Sequence, residues 1–314
     1  MRVLVTGGAG FIGSHVAEAA LAAGHAVSVL DDLSTGRREN LPAAARFFEA
    51  DVRDADAVRA VFAEAKPEVV SHQAAQASVA VSVREPAFDA AVNVVGSLNV
   101  IVSSLAQRVA RLVFASTGGA IYGEVAEGKR ASEADPARPV SPYACAKLAV
   151  EHYLVGFARE RGLTSTILRY ANVYGPRQDP DGEAGVVAIF ARRLISGEPI
   201  QVNARQRPGD EGCVRDYVHV DDVVAANLAA FEGRVRAPLL NVGTGVATDT
   251  RSLAIRLRAR LASDSELRDG PHRPGDLERS VLDPTALAEV LPERTPLERG
   301  LARTADWFRS RSRA

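Results

Sequence analysis

Thr6-Gly-Gly-Ala-Gly-Phe-Ile-Gly13 is the stretch on which the fold turns. It follows the apolar run Val3-Leu-Val5 and leads into an alanine-rich segment, 11–23, that Gly24 ends. A strand buried on both faces reads as such a continuous apolar run. An alanine-rich segment of that length reads as a helix. Between them, Gly7, Gly10 and Gly13 allow a tight turn, a close approach of backbone to a pyrophosphate, and contact between helix and strand. The helix N-terminus adds N–H donors and a positive dipole end. Strand, glycine loop and helix in this order predict a dinucleotide-binding unit; a bare structural turn is the competing reading.

The second apolar run, 27–30, ends at Asp31, 18 residues beyond Gly13. A carboxylate there accepts hydrogen bonds from an adenosine ribose and repels a 2′-phosphate, which favours NAD over NADP. Arg37 and Arg38 close by are the opposing signal. Asp51 and Val52 follow a third apolar stretch, placed to meet an adenine; a solvated loop aspartate is the alternative.

Further short apolar runs at 69–71, 112–116 and 166–168 suit central parallel strands, with helical stretches at 55–65, 87–107 and 141–161. The alternation predicts an α/β fold with a doubly wound parallel sheet, a Rossmann fold. Past Asn172, Gly, Pro, Arg and Asp become frequent through 175–185 and 205–215, and proline-punctuated loops separate helices from Thr248 on. This predicts a smaller, interleaved C-terminal substrate-binding region. The expected division is 1–171 with 216–247 for the dinucleotide domain, and 172–215 with 248–314 for the substrate domain.

The 314 residues are 46% apolar and 25% charged, with a net charge of −1. That balance offers no basic face for nucleic acid. No signal peptide and no apolar run of about 18 residues is read. A cytoplasmic protein with neither membrane nor nucleic-acid partners is expected. Cys145 and Cys213 are far apart without metal-ligand spacing, so no metal site is expected.

Only three of the 38 basic residues are lysines: Lys66, Lys129 and Lys147. Lys147 lies four residues after Tyr143, one helical turn on, so the two share a face. Ser141 suits the N-cap of that helix and Pro142 its first turn. A cation beside a phenol favours phenolate, which makes Tyr143 a candidate general base. Alone, Tyr-x-x-x-Lys is a weak pattern that surface helices match by chance. Ser116 and Thr117, at the end of the 112–116 strand, both offer a hydroxyl to the same chemistry; a strand-end cap is the other reading.

In these motifs, and in Leu30-Asp-Asp-Leu-Ser-Thr-Gly36, His72-Gln-Ala-Ala75, Asn93, Ser116-Thr-Gly-Gly-Ala-Ile-Tyr-Gly123, Arg169-Tyr-Ala-Asn-Val-Tyr-Gly-Pro176, Arg215-Asp-Tyr-Val-His219, Asn241-Val-Gly-Thr-Gly245 and Arg273-Pro-Gly-Asp276, the chain resembles the extended short-chain dehydrogenases/reductases. Within them it is most similar to the branch of UDP-galactose/UDP-glucose 4-epimerases, over nearly its full length. The resemblance implies an isomerase that epimerises UDP-hexoses at C4, and their N-acetylated forms as well, through a transient 4-keto sugar. It implies Tyr143 as base and Lys147 as holder of the cofactor ribose, with the catalytic hydroxyl on Thr117 or, failing that, Ser116.

For the NAD site the resemblance implies Gly7, Gly10, Phe11, Ile12 and Gly13, then Asp31, Asp32, Thr35 and Gly36. Asp51, Val52, Ala74, Ala75 and Asn93 complete its walls, and Tyr170 and Ala171 flank the nicotinamide. For the substrate it implies Asn172, Arg215 and Arg273 on the diphosphate, Asp276 on the uridine ribose, and Gln201 and Asn203 nearby; forked guanidinium groups suit a diphosphate. Ser280, four residues past Asp276, stands where a bulky residue would exclude N-acetylated sugars. A homodimer through the helices at 87–107 and 141–161 is implied as well. The rivals are a 4,6-dehydratase, for which Gly118-Gly119 lacks the expected acid–base pair, a UDP-glucuronate 4-epimerase, and a non-catalytic NAD-binding regulator.

Overall fold

The computed structural model describes residues 1–181, 185–273 and 275–312. Residues 182–184 of the expected 175–185 loop, Pro274 and the last two residues lie outside this description. The strands in chain order are β1 (Arg2–Thr6), β2 (Ala26–Asp31), β3 (Arg46–Glu49), β4 (Val69–His72), β5 (Arg111–Thr117), β6 (Ser165–Tyr170), β7 (Asn172–Tyr174), β8 (Ile200–Asn203), β9 (Val214–His219), β10 (Leu239–Val242), β11 (Ala247–Asp249), β12 (Leu267–Gly270) and β13 (Arg279–Ser280).

Seven strands form one sheet in the order β3-β2-β1-β4-β5-β6-β10. The pairs β2/β3, β1/β2, β1/β4 and β4/β5 run parallel. The order reverses between β1 and β4, which is the doubly wound pattern expected. β1 is apolar from Val3 to Val5 because both of its faces are covered, with those residues at most 1% exposed. Local chemistry sets the helix ends. Asp54 caps Ala55–Ala65 by accepting from the N–H groups of Asp56 and Ala57, and Lys66 ends that helix in a left-handed conformation. Ser141 caps Pro142–Arg161, Pro142 fills its first turn, and Gly162 at φ +68° stops it.

The helix expected at 87–107 spans Pro86–Ala106, with a π turn at Ala91–Gly96. It is long and apolar enough to cross a membrane by length and composition, which corrects the expectation that no such stretch exists. Within it Asp89, Asn93 and Ser97 are buried, and the Asn93 amide donates to the Asp89 carboxylate.

The chain divides into two compact units. The first comprises Met1–Thr117, Pro139–Arg169 and Val224–Leu240. Its core includes the fully buried Leu4, Phe62, Phe114 and Leu154, each worth roughly 1.5–3 kcal/mol of burial. The second comprises Gly118–Arg138, Tyr170–Val223 and Asn241–Ala314. In it β9 lies between β11 and β13, with β7 also on β9, and β8 pairs with β12. Tyr174, Phe190, Leu253 and Leu301 belong to its core. Residues 118–138, expected with the dinucleotide domain, group with the second unit because their backbone bonds there: Val125 donates to the Arg279 carbonyl, Ala131 to that of Val281, and Asp283 back to that of Ala131.

Candidate active site

In the first unit the glycine loop is a bed that a side chain would fill. Gly7 is left-handed at φ +68°, and a Cβ there would fall 2.6 Å from the Ala74 nitrogen. A Cβ on Gly13 would fall 2.1 Å from the Gly7 carbonyl oxygen. Gly10 is the N-cap of the helix Phe11–Ala22 and supplies no side-chain cap to its first turn. Bare N–H groups over a glycine bed are what a dinucleotide pyrophosphate requires, so the residues present fit NAD.

Asp31 ends β2 buried, accepting from the Ala9 N–H at 2.9 Å and the Leu33 N–H at 2.8 Å. Burial pushes its pKa up while those bonds pull it down. Gly36 is required beside it, because a Cβ there would lie 2.7 Å from Oδ1. Arg38 is engaged by Glu49 at 2.5 Å and lies over the Phe47 ring, which accounts for one of the two arginines that argued for NADP. Asp32 is exposed and binds the Ser34 N–H and hydroxyl, and Thr35 is exposed beyond it. Asp51 accepts from the Arg53 N–H at 2.8 Å and from its guanidinium, which holds the carboxyl below its usual range, while Val52 is buried. Phe11 is buried and packs edge-on against His15; Ile12 is half-buried. Asn93, expected at the cofactor, is 1% exposed, and its amide bonds Gln76 and Asp89.

Tyr143 and Lys147 lie one turn apart on Pro142–Arg161, with Nζ 5.9 Å from the Tyr143 ring centroid. Lys147 is buried; Nζ donates to the Ala115 carbonyl at 3.0 Å and lies 4.9 Å from the Phe114 ring centroid. The two candidate hydroxyls differ. Ser116 donates to the buried Glu151 carboxylate, which also takes two bonds from Arg169, at 3.0 and 2.5 Å. Thr117, on the opposite face of the pleat, is 9% exposed, and its hydroxyl has no hydrogen-bond partner among the described residues.

In the second unit Tyr170 and Ala171 are buried, and the Ala171 N–H bonds the Val242 carbonyl at 2.9 Å. Asn172 keeps a buried Oδ1 without a hydrogen-bond partner among the described residues, and a Cβ on Gly119 would come within 3.2 Å of it. Arg215, on β9, has Ser280 of β13 as its register neighbour on one side and Thr248 of β11 on the other. Ser280 is 2% exposed. Gln201 and Asn203 project from β8; with its amide oxygen turned towards Arg273, Asn203 accepts from Nε at 2.7 Å and Nη2 at 2.9 Å. Asp276 is exposed, its N–H bonded to the Arg273 carbonyl across a turn in which Gly275 has φ +88°.

The Ser116–Glu151–Arg169 network was not read from the sequence. Its available signal was Glu151 itself, a carboxylate four residues past Lys147 and so on the same inward helix face.

A sheet of this order, with a glycine bed after β1 and a Tyr–Lys pair one helical turn apart beside the end of β5, defines a Rossmann-type dinucleotide-binding protein. Residues 3–243 match the model of the NAD dependent epimerase/dehydratase family, and the chain belongs to that family. It is 45% identical to a UDP-glucose 4-epimerase of Mycolicibacterium smegmatis, over 99% of this chain and all of that protein. Among solved structures, the Thermus thermophilus UDP-glucose 4-epimerase in complex with NAD superposes with a TM-score of 0.93 at 53% identity, covering 98% of this chain and 99% of that one. The Thermotoga maritima UDP-glucose 4-epimerase with UDP-glucose superposes at 0.92 and 46% identity, over 99% of this chain and 100% of that one.

Proposed function

We propose that this chain is an NAD-dependent 4-epimerase of UDP-hexoses that interconverts UDP-galactose and UDP-glucose. The observation that carries the chemistry is the trio at the end of β5: Tyr143 and Lys147 on one helix face, Lys147 pinned to the Ala115 carbonyl, and Thr117 with a hydroxyl that no described protein group uses. The likeness to the two solved epimerases carries the substrate class.

Bound NAD supplies reversible hydride acceptance at the sugar C4. Gly7, Gly10, Gly13 and Asp31 hold it, with Ala74 and Ala75 as a wall. Tyr143 takes the proton of the sugar 4-hydroxyl and later returns it. Lys147 supplies positive charge one turn away, and Thr117 hydrogen-bonds the same sugar oxygen. Arg215 and Arg273 hold the diphosphate while the hexose turns between two faces, and the orphaned Asn172 amide oxygen is available to the substrate. Ser280 is small where a bulky residue would exclude N-acetylated sugars, so the reading includes UDP-N-acetylhexosamines.

The reading extends to a homodimer in the cytoplasm. Val95, Val102 and Tyr153 are large apolar side chains about half exposed on Pro86–Ala106 and Pro142–Arg161, and burial against a second copy would take them out of water. The two free cysteines suit a reducing compartment.

The test is NMR of the purified protein with UDP-galactose and no added reductant. UDP-glucose should form with the wild type and not with Tyr143→Phe. No conversion by folded, NAD-loaded wild type would overturn the reading.

A further inference from the structure

At the buried end of β4 a hydrogen-bond chain has its direction fixed at every link. It ends on the Asn93 carbonyl, which can only accept, so the Ser97 hydroxyl donates to it at 2.5 Å. With its one proton committed, the Ser97 oxygen accepts from His72 Nε2 at 2.9 Å. A neutral imidazole protonated on Nε2 has a lone pair on Nδ1, and that atom accepts from the Thr6 hydroxyl at 2.6 Å. Thr6 Oγ1 in turn accepts the Ala74 N–H at 3.2 Å. The donors therefore run from Ala74 through Thr6, His72 and Ser97 to Asn93. The ring is 1% exposed. Burial, with the Lys147 charge adding to it, pushes its pKa down to about 3, so it is neutral as the chain requires.

The chain ties the glycine loop to the segment that follows β4. Thr6 precedes the loop and holds that segment twice: its carbonyl takes the Gln73 N–H at 3.1 Å and its hydroxyl takes that of Ala74. Gly7 faces Ala74 with no room for a Cβ between them. Two residues on, the Asn93 amide clamps Gln76, accepting its N–H at 3.1 Å and donating to its carbonyl at 2.8 Å. Asn93 lies in the π turn, so one residue anchors the relay by its main chain and the segment by its side chain.

We propose that His72 is a positioning residue for the cofactor: through this one-way relay its ring sets the gap between the glycine loop and Ala74. The proposal rests on the reading that Ala74 and Ala75 wall the NAD site. Its role is distinct from plain core packing, because it depends on the tautomer and on the Thr6 hydroxyl.

Two measurements test it. In long-range 1H–15N spectra of the protein labelled at histidine, the signal lost in His72→Gln should be an Nε2–H tautomer; an Nδ1–H tautomer or an imidazolium at pH 7 would overturn the relay. Calorimetric titration of NAD-free protein should show Thr6→Val binding NAD about tenfold more weakly, with unchanged circular dichroism, and Thr6→Ser restoring affinity to within about twofold. If Thr6→Val does not fold, Ser97→Ala, which removes the ring's acceptor, should show the same weakening. Ala75→Phe tests the underlying reading apart. NAD binding that survives it removes the wall and the proposal together. Binding lost there but unmoved in Thr6→Val overturns the relay alone.

Discussion

The Ser116 hydroxyl donates to the Glu151 carboxylate in a buried pocket of the first unit, and this bond sets Ser116 apart from Thr117, the neighbouring hydroxyl that the family resemblance ranks first. Ser116 joins a structural network with Arg169. Thr117 points to the other face of the strand with its hydroxyl uncommitted among the described residues.

Thr117→Ala should therefore lower kcat by at least about tenfold with little change in melting temperature, since it removes a hydrogen bond to the reacting oxygen. Ser116→Ala should do the reverse, costing about 1.5–3 kcal/mol of stability for a bond to a charged group and leaving kcat within about threefold. Steady-state kinetics and thermal melts of the two variants check this; a catalytic loss confined to Ser116→Ala would exchange the assignments.

Ser280 sits in β13 beside Arg215 as a small, buried residue. Ser280→Tyr should cut kcat/KM for UDP-N-acetylgalactosamine at least about tenfold relative to UDP-galactose, the scale of a steric mismatch in a closed pocket. An unchanged ratio in a variant that still melts cooperatively would remove the gate.

His219 is fully buried on β9, edge-on to Tyr174. Burial pushes its pKa down to about 4, with Arg303 and Arg299 adding to the effect and Asp222 opposing it. Between pH 6.5 and about 4 the unfolded chain takes up a proton that the folded ring refuses. The stability is fully present above 6.5 and is lost as pH falls through that window, on the order of 3 kcal/mol in total. His72 acts in the same sense, and the raised carboxyl of Asp216 in the opposite one. Urea unfolding from pH 7 to 4 should show a shallower loss in His219→Gln than in the wild type; parallel curves would contradict the assignment.

Tyr153 is 46% exposed on Pro142–Arg161. Tyr153→Asp should convert a sedimenting dimer to monomer at micromolar concentration, because a buried unpaired carboxylate at an interface costs several kcal/mol. A wild type that sediments as monomer at every concentration would remove the dimer.

Legibility from sequence followed how local each cause is. β1 and the glycine loop were readable because one short segment carries the strand, the turn and the helix start. Tyr143 and Lys147 were readable because helical periodicity alone brings them together. The engagement of Ser116 was not readable from residue pattern, since it depends on the inward turn of Glu151 from another element. The hold of the Asn93 amide on Gln76 and Asp89 was not readable, because it is set by a π turn that no residue pattern announces. Residues 118–138 join the second unit through long-range backbone bonds, which composition does not encode.

In the proposed reaction hydrogen leaves C4 of the sugar and returns to the same carbon within one bound cycle. The most direct test is to incubate the NAD-loaded protein with UDP-galactose deuterated at C4, in ordinary water, and to read the product by NMR. UDP-glucose should retain deuterium at C4. Epimerised product with solvent hydrogen at that position would contradict it.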